Sequence, residues 1–460
     1  MPATYYNLID TIAGAETKDK DSYFVSLTGT DYMSINTTTP IAGAADFLWN
    51  KTGVEGGESW KYKTFQSSGG YNNVSSSFKL KVVIGPPTGR SIEIHNFFGS
   101  SISAGVGLSG NGANTRICLM EDSTSQGNTP ILKWEGSTNL VVGTTYIVQW
   151  KFWNPGGTIA SIWNAILNLY DASGALLESS GRTTLDQSPF GSTVVAQWAF
   201  GNGFSNDYLS QVPAGFVLSY KFDNAVIVFG GAWAPVDANI AVMTPGTAEG
   251  TDTVWTLGAG ADEWTATKEI PSDGDTSYIN SGTGFGRSQT YNATASGISL
   301  SAGQEILAIA EFVRVKTDSG TGLFYPRYRI ANGNNTSSGG VGSTTTYKWA
   351  RHCKPAPTGL GWTVAQLDAM EPGVGKTVGS TNNRCSTIVV EALYGNPYFT
   401  DQMGWYSPTV ETQSPQFSRP LLRRDSRNFK SYVTIDPWIL TQAGTPPGAN
   451  FPYAVIIIVG

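Results

Sequence analysis

The sequence predicts an all-β protein: two tandem antiparallel β-sandwich domains with irregular terminal arms. Two observations carry this reading. Short apolar segments alternate with polar residues at a period of two and are divided by Gly, Ser, Thr and Asn, which is how antiparallel sandwich strands are written. Chemistry-bearing residues are scarce: 2 His, 3 Cys and 14% charged residues stand against 54 Gly and 14 Trp in 460 residues. At roughly 150 to 200 residues per domain, this length suits two or three domains, and a 40% hydrophobic, 12% aromatic composition can fill their cores.

Residues 1–45 hold few core-forming alternations and read as an N-terminal arm. The first sandwich is expected over 46–232. Phe78, Leu80, Val82 and Ile84 alternate with Lys79 and Lys81 up to the stop at Gly85-Pro86-Pro87. Tyr146, Val148, Trp150 and Phe152 alternate with Gln149 and Lys151. Leu167 and Leu169 lead into Tyr170-Asp171-Ala172-Ser173-Gly174, a hairpin turn with Asp and Gly where turns need them. In the last strand Leu218, Tyr220 and Phe222 share one face, and Val217, Ser219, Lys221 and Asp223 the other.

A Gly-, Ala- and Pro-rich stretch over 233–250 reads as a linker. The second sandwich is expected over 251–400, with Ile306, Ala308, Ala310 and Phe312 in one alternating strand and Ile388, Val390, Ala392 and Tyr394 in another. Asn332–Thr346 reads as an exposed loop. One short helix is expected over Thr363–Glu371, capped by Thr363 and ended by Pro372-Gly373. Residues 401–460 read as a C-terminal docking segment with Arg423, Arg424, Arg427 and Lys430, closing on the apolar strand Ala454–Val459.

Composition sets bounds on function. A net charge of −6 without a basic block argues against a nucleic-acid partner. No apolar run approaches the length of about 20 residues that spans a bilayer. Met1–Asn7 shows neither a positive leader nor an apolar core, so synthesis in a cytoplasm without a secretory signal is expected. Cys118, Cys353 and Cys385 lack metal-site spacing and are expected to be reduced and structural, with Cys353–Cys385 the best disulfide candidate.

Candidate sites compete with plainer roles. The E-x-D-x-E run of concanavalin-like glycosidases is absent; Asp262-Glu263 and Asp273-Gly274-Asp275 are the nearest acidic clusters. Asp273 and Asp275 suit either calcium or a self-bonded turn, and the turn is favoured. His95 and His352 suit partly buried structural roles. Trp134, Trp150, Trp153, Trp163 and Trp198 suit a core, or sugar stacking where a ring is exposed. No catalytic, cofactor-binding or metal-ligating residue is assigned, and no cofactor is expected.

Through Phe78–Val83, Leu167–Gly174 and Tyr220–Val228, the first block resembles laminin-G or concanavalin-like sandwiches of the jelly-roll kind. The second block carries Pro271–Ile279, Ile306–Ala310, Trp362–Val374 and Thr387–Tyr394 in that order. That progression is similar to a β-sandwich module in structural proteins of tailed bacteriophages. The resemblance implies a non-enzymatic virion component, either a head decoration or a tail fibre. Its implied partners are capsid or tail subunits, in a homo-oligomer that family analogy makes a trimer. The alternative is a lectin-like protein binding a cell-surface glycan.

Overall fold

The computed structural model describes residues 9–12, 25–26, 32–42, 45–52, 59–64, 73–98, 103–123, 129–154, 163–185, 195, 197–203, 217–229, 233–236, 238–268, 275–282, 287–319, 322–330, 336–337, 341–343, 345–354, 361–378 and 382–395. The fold is all-β, and every strand pairing among these residues is antiparallel. None of the helices among the described residues is long and apolar enough to cross a membrane.

Two sheets build the first sandwich. Sheet 1 is 9-stranded and runs Leu176–Ser179, Asn164–Asp171, Thr145–Trp153, Asn73–Ile84, Val217–Phe229, Asp46–Thr52, Met33–Asn36. Ile9–Ile12 adds to Val217–Phe229, and Thr183–Thr184 to Asn164–Asp171. Sheet 2 is 7-stranded and runs Thr129–Glu135, Asn114–Ser123, Ser103–Asn111, Ser91–Phe98, Gln197–Gly203, Ser59–Thr64, Val25–Ser26.

Period-two alternation fixes the inner face: Phe78, Leu80, Val82, Val148, Trp150 and Phe152 are all buried. Ile84 escapes at the strand end, 44% exposed. Phe200 and Phe222 stack across the core at 3.9 Å. In Val217–Phe229 a bulge falls between Asp223 and Val226, and Asn224 takes a positive φ of 47°. Asp223 Oδ1 accepts the Asn224 N–H at 2.7 Å and holds the kink. The extra residue keeps Ala225 and Ile227 on the core side after Phe222. The expected Asp171 hairpin is present: Asp171 Oδ1 accepts from Ser173 N, Ser173 Oγ and Ala175 N, and Gly174 supplies a φ of 85°.

The second sandwich pairs two 6-stranded sheets. Sheet 3 runs Thr256–Ala259, Tyr278–Asn280, Asn383–Gly395, Glu305–Thr317, Lys348–Lys354, and sheet 4 runs Pro245–Thr253, Arg287–Ala293, Glu371–Val378, Gly322–Arg329, Thr336–Ser337. The two sandwiches share buried apolar surface. Ala310, Phe312, Trp349 and Val389 of sheet 3 join the first sandwich's core, and Val226, Val228, Ala234 and Ala238 pack on Leu307, Ala308 and Leu393.

Several segments differ from their sequence reading. Within 1–45, Ile9–Ile12, Val25–Ser26 and Met33–Asn36 are strands of sheets 1 and 2, because sheet edges recruit short extended segments that carry no core pattern of their own. Within 233–250, Asn239–Met243 pairs with Asn383–Gly395 and Pro245 opens a strand on Arg287–Ala293. In the first of these, Met243 is buried and Ile240 and Val242 pack against apolar clusters. Thr336–Ser337 and Val341–Ser343 pair with Gly322–Arg329 inside the expected loop.

The expected helix spans Val364–Asp368 with a Thr363/Gln366 capping box, but Glu371–Val378 is already strand, so Pro372-Gly373 lies in a sheet. A further helix, Glu263–Lys268, had no periodic signal. Cys385 is a free, buried thiol. Cys353 lies opposite Ala310 on the Glu305–Thr317 strand while Cys385 lies opposite Val315, so strand register keeps the candidate pair apart. The segment 401–460, with its arginines and terminal strand, lies outside the described residues.

Candidate functional site

The candidate site lies on the outer face of sheet 1. Alternation sends Tyr146, Val148, Trp150 and Phe152 inward and therefore Gln149, Lys151 and Trp153 outward on the same strand. Lys151 sits between Ile166 and Ser75 of the neighbouring strands, Gln149 between Asn168 and Ser77, and Trp153 between Asn164 and Asn73.

The segment Trp233–Val236 crosses this face as a strap. Ala234 N donates to Ser75 Oγ at 2.8 Å, Gln149 Nε2 donates to Ala234 O at 2.6 Å, and Ser77 Oγ donates to Pro235 O at 2.6 Å. The strap places the Trp233 ring over Lys151, whose Nζ lies 5.3 Å from its centroid and 6.0 Å from that of Trp153. All three side chains are half-buried. Burial among these rings pushes the Lys151 amine down to about 8.

Around them the face is polar. Asn168 Nδ2 and Tyr170 OH both donate to Gln149 Oε1, at 3.1 and 3.0 Å. The exposed Arg182 donates to Asn164 Oδ1 at 2.9 Å. Half-buried Lys79 and Lys81 lie further along the same face. Indole faces stack on the apolar faces of sugar rings and an ammonium binds carboxylate oxygens, while the Gln149, Asn168 and Tyr170 groups are buried and bonded to one another beneath them. A lysine poised near neutrality can also accept a proton.

The structure sorts the sequence-predicted aromatics. Trp150, Trp163 and Trp198 are fully buried, whereas Trp134 and Trp153 are half-buried. His95 lies inside the first sandwich, with Nδ1 2.7 Å from Ala199 O and rings of Phe78, Phe97, Trp150 and Phe200 around it. His352 is half-buried on sheet 3. Neither meets Lys151 in a shared site.

Asp275 is bonded to cations of the protein itself: Lys316 and Arg384 donate to it, with Tyr347 OH at 3.2 Å. Its charge is thereby paired within the protein. Asp273 lies outside the described residues, and among those described no cluster of three His, Cys, Asp or Glu is arranged to hold a metal. Asp262 Oδ1 accepts Thr265 N at the start of Glu263–Lys268, and Glu263 Oε1 accepts Leu257 N, which are structural duties.

Sequence reasoning missed Lys151 and Trp233 as site residues. For Lys151 and Trp153 a signal existed, since both are out of phase with the core residues of their strand. Trp233 lies among Gly, Ala and Pro, and nothing local places it over a strand 80 residues earlier in the chain.

No protein-family model matches the chain, and no curated protein matches it. The search of solved structures found an alginate lyase from Aplysia kurodai at 9% identity, covering 50% of this chain and 100% of that one, with a TM-score of 0.35. An endo-β-1,4-glucuronan lyase from the fungus Trichoderma reesei is 10% identical over 50% of this chain and 96% of its own, at a TM-score of 0.29. An alginate lyase from a Chlorella virus is 8% identical over 49% and 100%, at 0.31.

These comparisons correct two expectations. The structures reported are polysaccharide lyases, so the reading as a non-enzymatic virion component is withdrawn, and with it the expectation that the chain is not an enzyme.

Proposed function

We propose that this chain is a carbohydrate-active protein that binds a polysaccharide bearing carboxylates on the outer face of sheet 1. The observation that carries the reading is the half-buried Lys151 ammonium close to the half-buried Trp153 and Trp233 rings. The rings supply stacking surface at low entropy cost, and the cation supplies preference for an acidic sugar. An isothermal titration panel of a neutral glucan, a polyuronate and a sulfated polysaccharide tests it. The polyuronate is expected to bind best, and Trp153→Ala, Trp233→Ala and Lys151→Met each to weaken it about tenfold or more, the equivalent of about 1.4 kcal/mol. Wild-type protein that binds none of the panel, or variants that bind like wild type, would overturn it.

A second reading follows from the position of the Lys151 amine near 8, which makes it a proton acceptor toward a bound chain. The two readings separate by pH. Carboxylate binding weakens as pH rises through about 8, whereas base-assisted cleavage of the same polymer speeds up over that interval. Release of new chain ends that is absent in Lys151→Met identifies the second.

A further inference from the structure

Gln149 is buried, 2% exposed, in the middle of the polar network beneath the strap. Its amide is engaged at both ends. Oε1 accepts from Asn168 Nδ2 and Tyr170 OH, and Nε2 donates to the Ala234 carbonyl. These partners also settle the amide's orientation, because the flipped amide would set two oxygens against each other at Ala234 and two donors against each other at Asn168. The residue that Gln149 grips directly follows Trp233. Lys151, in turn, stands on the same strand face as Gln149, two residues on.

We propose that Gln149 is a positioning residue for the polysaccharide site: it holds the strap, and through the strap keeps the Trp233 ring over Lys151. Asn168 and Tyr170 orient the Gln149 amide, Ala234 receives it between the Ser75 and Ser77 bonds to the strap, and Trp233 is displayed as a result. The strap runs on into Asn239–Met243 of sheet 3, so the grip also couples the site to the joint between the two sandwiches. The bonded amide accounts for a polar residue at this buried position, beside Ile147 and Ile166, which are both nearly inaccessible.

This inference rests on the reading of the face as a polysaccharide site, but its first readout does not. Gln149→Met keeps the volume and removes both hydrogen-bonding ends. In this variant the Trp233 ring is expected to leave Lys151, which becomes better hydrated. NMR titration of 13Cε-labelled lysines should then show the Lys151 amine moving up from about 8 toward 10.5. Polyuronate affinity, measured in parallel, should fall about tenfold, or about 1.4 kcal/mol. Tyr170→Phe, which deletes one donor to the amide, should move both readouts in the same direction by less, and it serves if Gln149→Met does not fold.

A folded Gln149→Met protein with an unshifted Lys151 overturns the proposal, whatever its affinity. So does an unshifted Lys151 in Tyr170→Phe where that variant must stand in. A shifted Lys151 in a protein whose wild type binds no polyuronate upholds the positioning role and removes the polysaccharide reading instead.

Discussion

Lys151 Nζ lies 5.3 Å from the centre of the Trp233 ring, although the two residues belong to a central strand of sheet 1 and to a strap that leaves for the second sandwich. The contact places a cation where water is partly excluded, and its consequences for stability and binding have opposite signs.

In the folded protein Lys151 loses its proton near pH 8, against 10.5 for an ordinary lysine. Between those values the unfolded chain holds more protons, so stability rises with pH; below about 8 the cost of the charge is fully present. Lys151→Met should therefore stabilise the protein at pH 7 by roughly 1–2 kcal/mol, discounted for partial exposure. Urea midpoints at pH 7 and pH 10 check this: the advantage of the variant should shrink at the higher pH. A variant less stable than wild type at pH 7 contradicts it.

His95 gives a second pH dependence, from the core. Burial pushes its imidazole down to about 3, so it stays neutral in the fold while the unfolded chain protonates near 6.5. Stability present above 6.5 should be lost as pH falls toward about 3, by up to about 4 kcal/mol. His95→Phe fits the surrounding rings but forfeits the Ala199 hydrogen bond, which costs about 1 kcal/mol at neutral pH. Its denaturation midpoints between pH 6.5 and 4 should be flatter than those of wild type.

Glu178 ties the edge of sheet 1 to the loop that leaves sheet 2. Its Oε1 accepts Ser137 N at 2.5 Å and Ser137 Oγ at 2.9 Å, and its Oε2 accepts Thr138 N at 3.0 Å. Burial pushes the carboxyl up, but these donors bring it below the usual glutamate value, so the tie contributes above pH 4.5 and is lost as pH falls through the lower folded value. Glu178→Ala should cost about 1–2 kcal/mol at pH 7. Repeating the denaturation at successively lower pH below 4.5 should narrow the gap between variant and wild type.

Gly375 and Tyr325 make a packing test in the second sandwich. A Cβ at Gly375 would meet the Tyr325 ring at 2.2 Å, because the ring lies across the glycine from the neighbouring strand. Gly375→Ala should cost about 1–3 kcal/mol by overpacking. In the double variant with Tyr325→Ala the glycine substitution should cost much less, a coupling that a double-mutant cycle of thermal unfolding reads directly. Additive effects would show that the ring yields without strain.

Thr145–Trp153 and Asn73–Ile84 were legible in the sequence because one face of each carries the apolar core residues and the other mostly polar ones, and such asymmetry writes a period of two. The Asp171 turn was legible because its hydrogen bonds are local. Ile9–Ile12, Met33–Asn36 and Asn239–Met243 were illegible, since they are short edge or joining strands in which single core residues such as Met33 and Met243 make no alternating run. Half of the site was open to sequence reading: Lys151 and Trp153 are out of phase with the core.

The sequence by itself determined the all-β class, the inward residues of the long strands and the aromatic filling of the first core, because these follow from local alternation and from the cost of exposing apolar area. Only the tertiary structure decided which tryptophans remain half-exposed, that the Trp233–Val236 segment lies across sheet 1, and that Lys151 meets two rings from separate parts of the chain. Those outcomes depend on strand order and on the hydrogen bond between Gln149 and Ala234, 85 positions apart, and a pairing at that separation leaves no periodic mark on either segment.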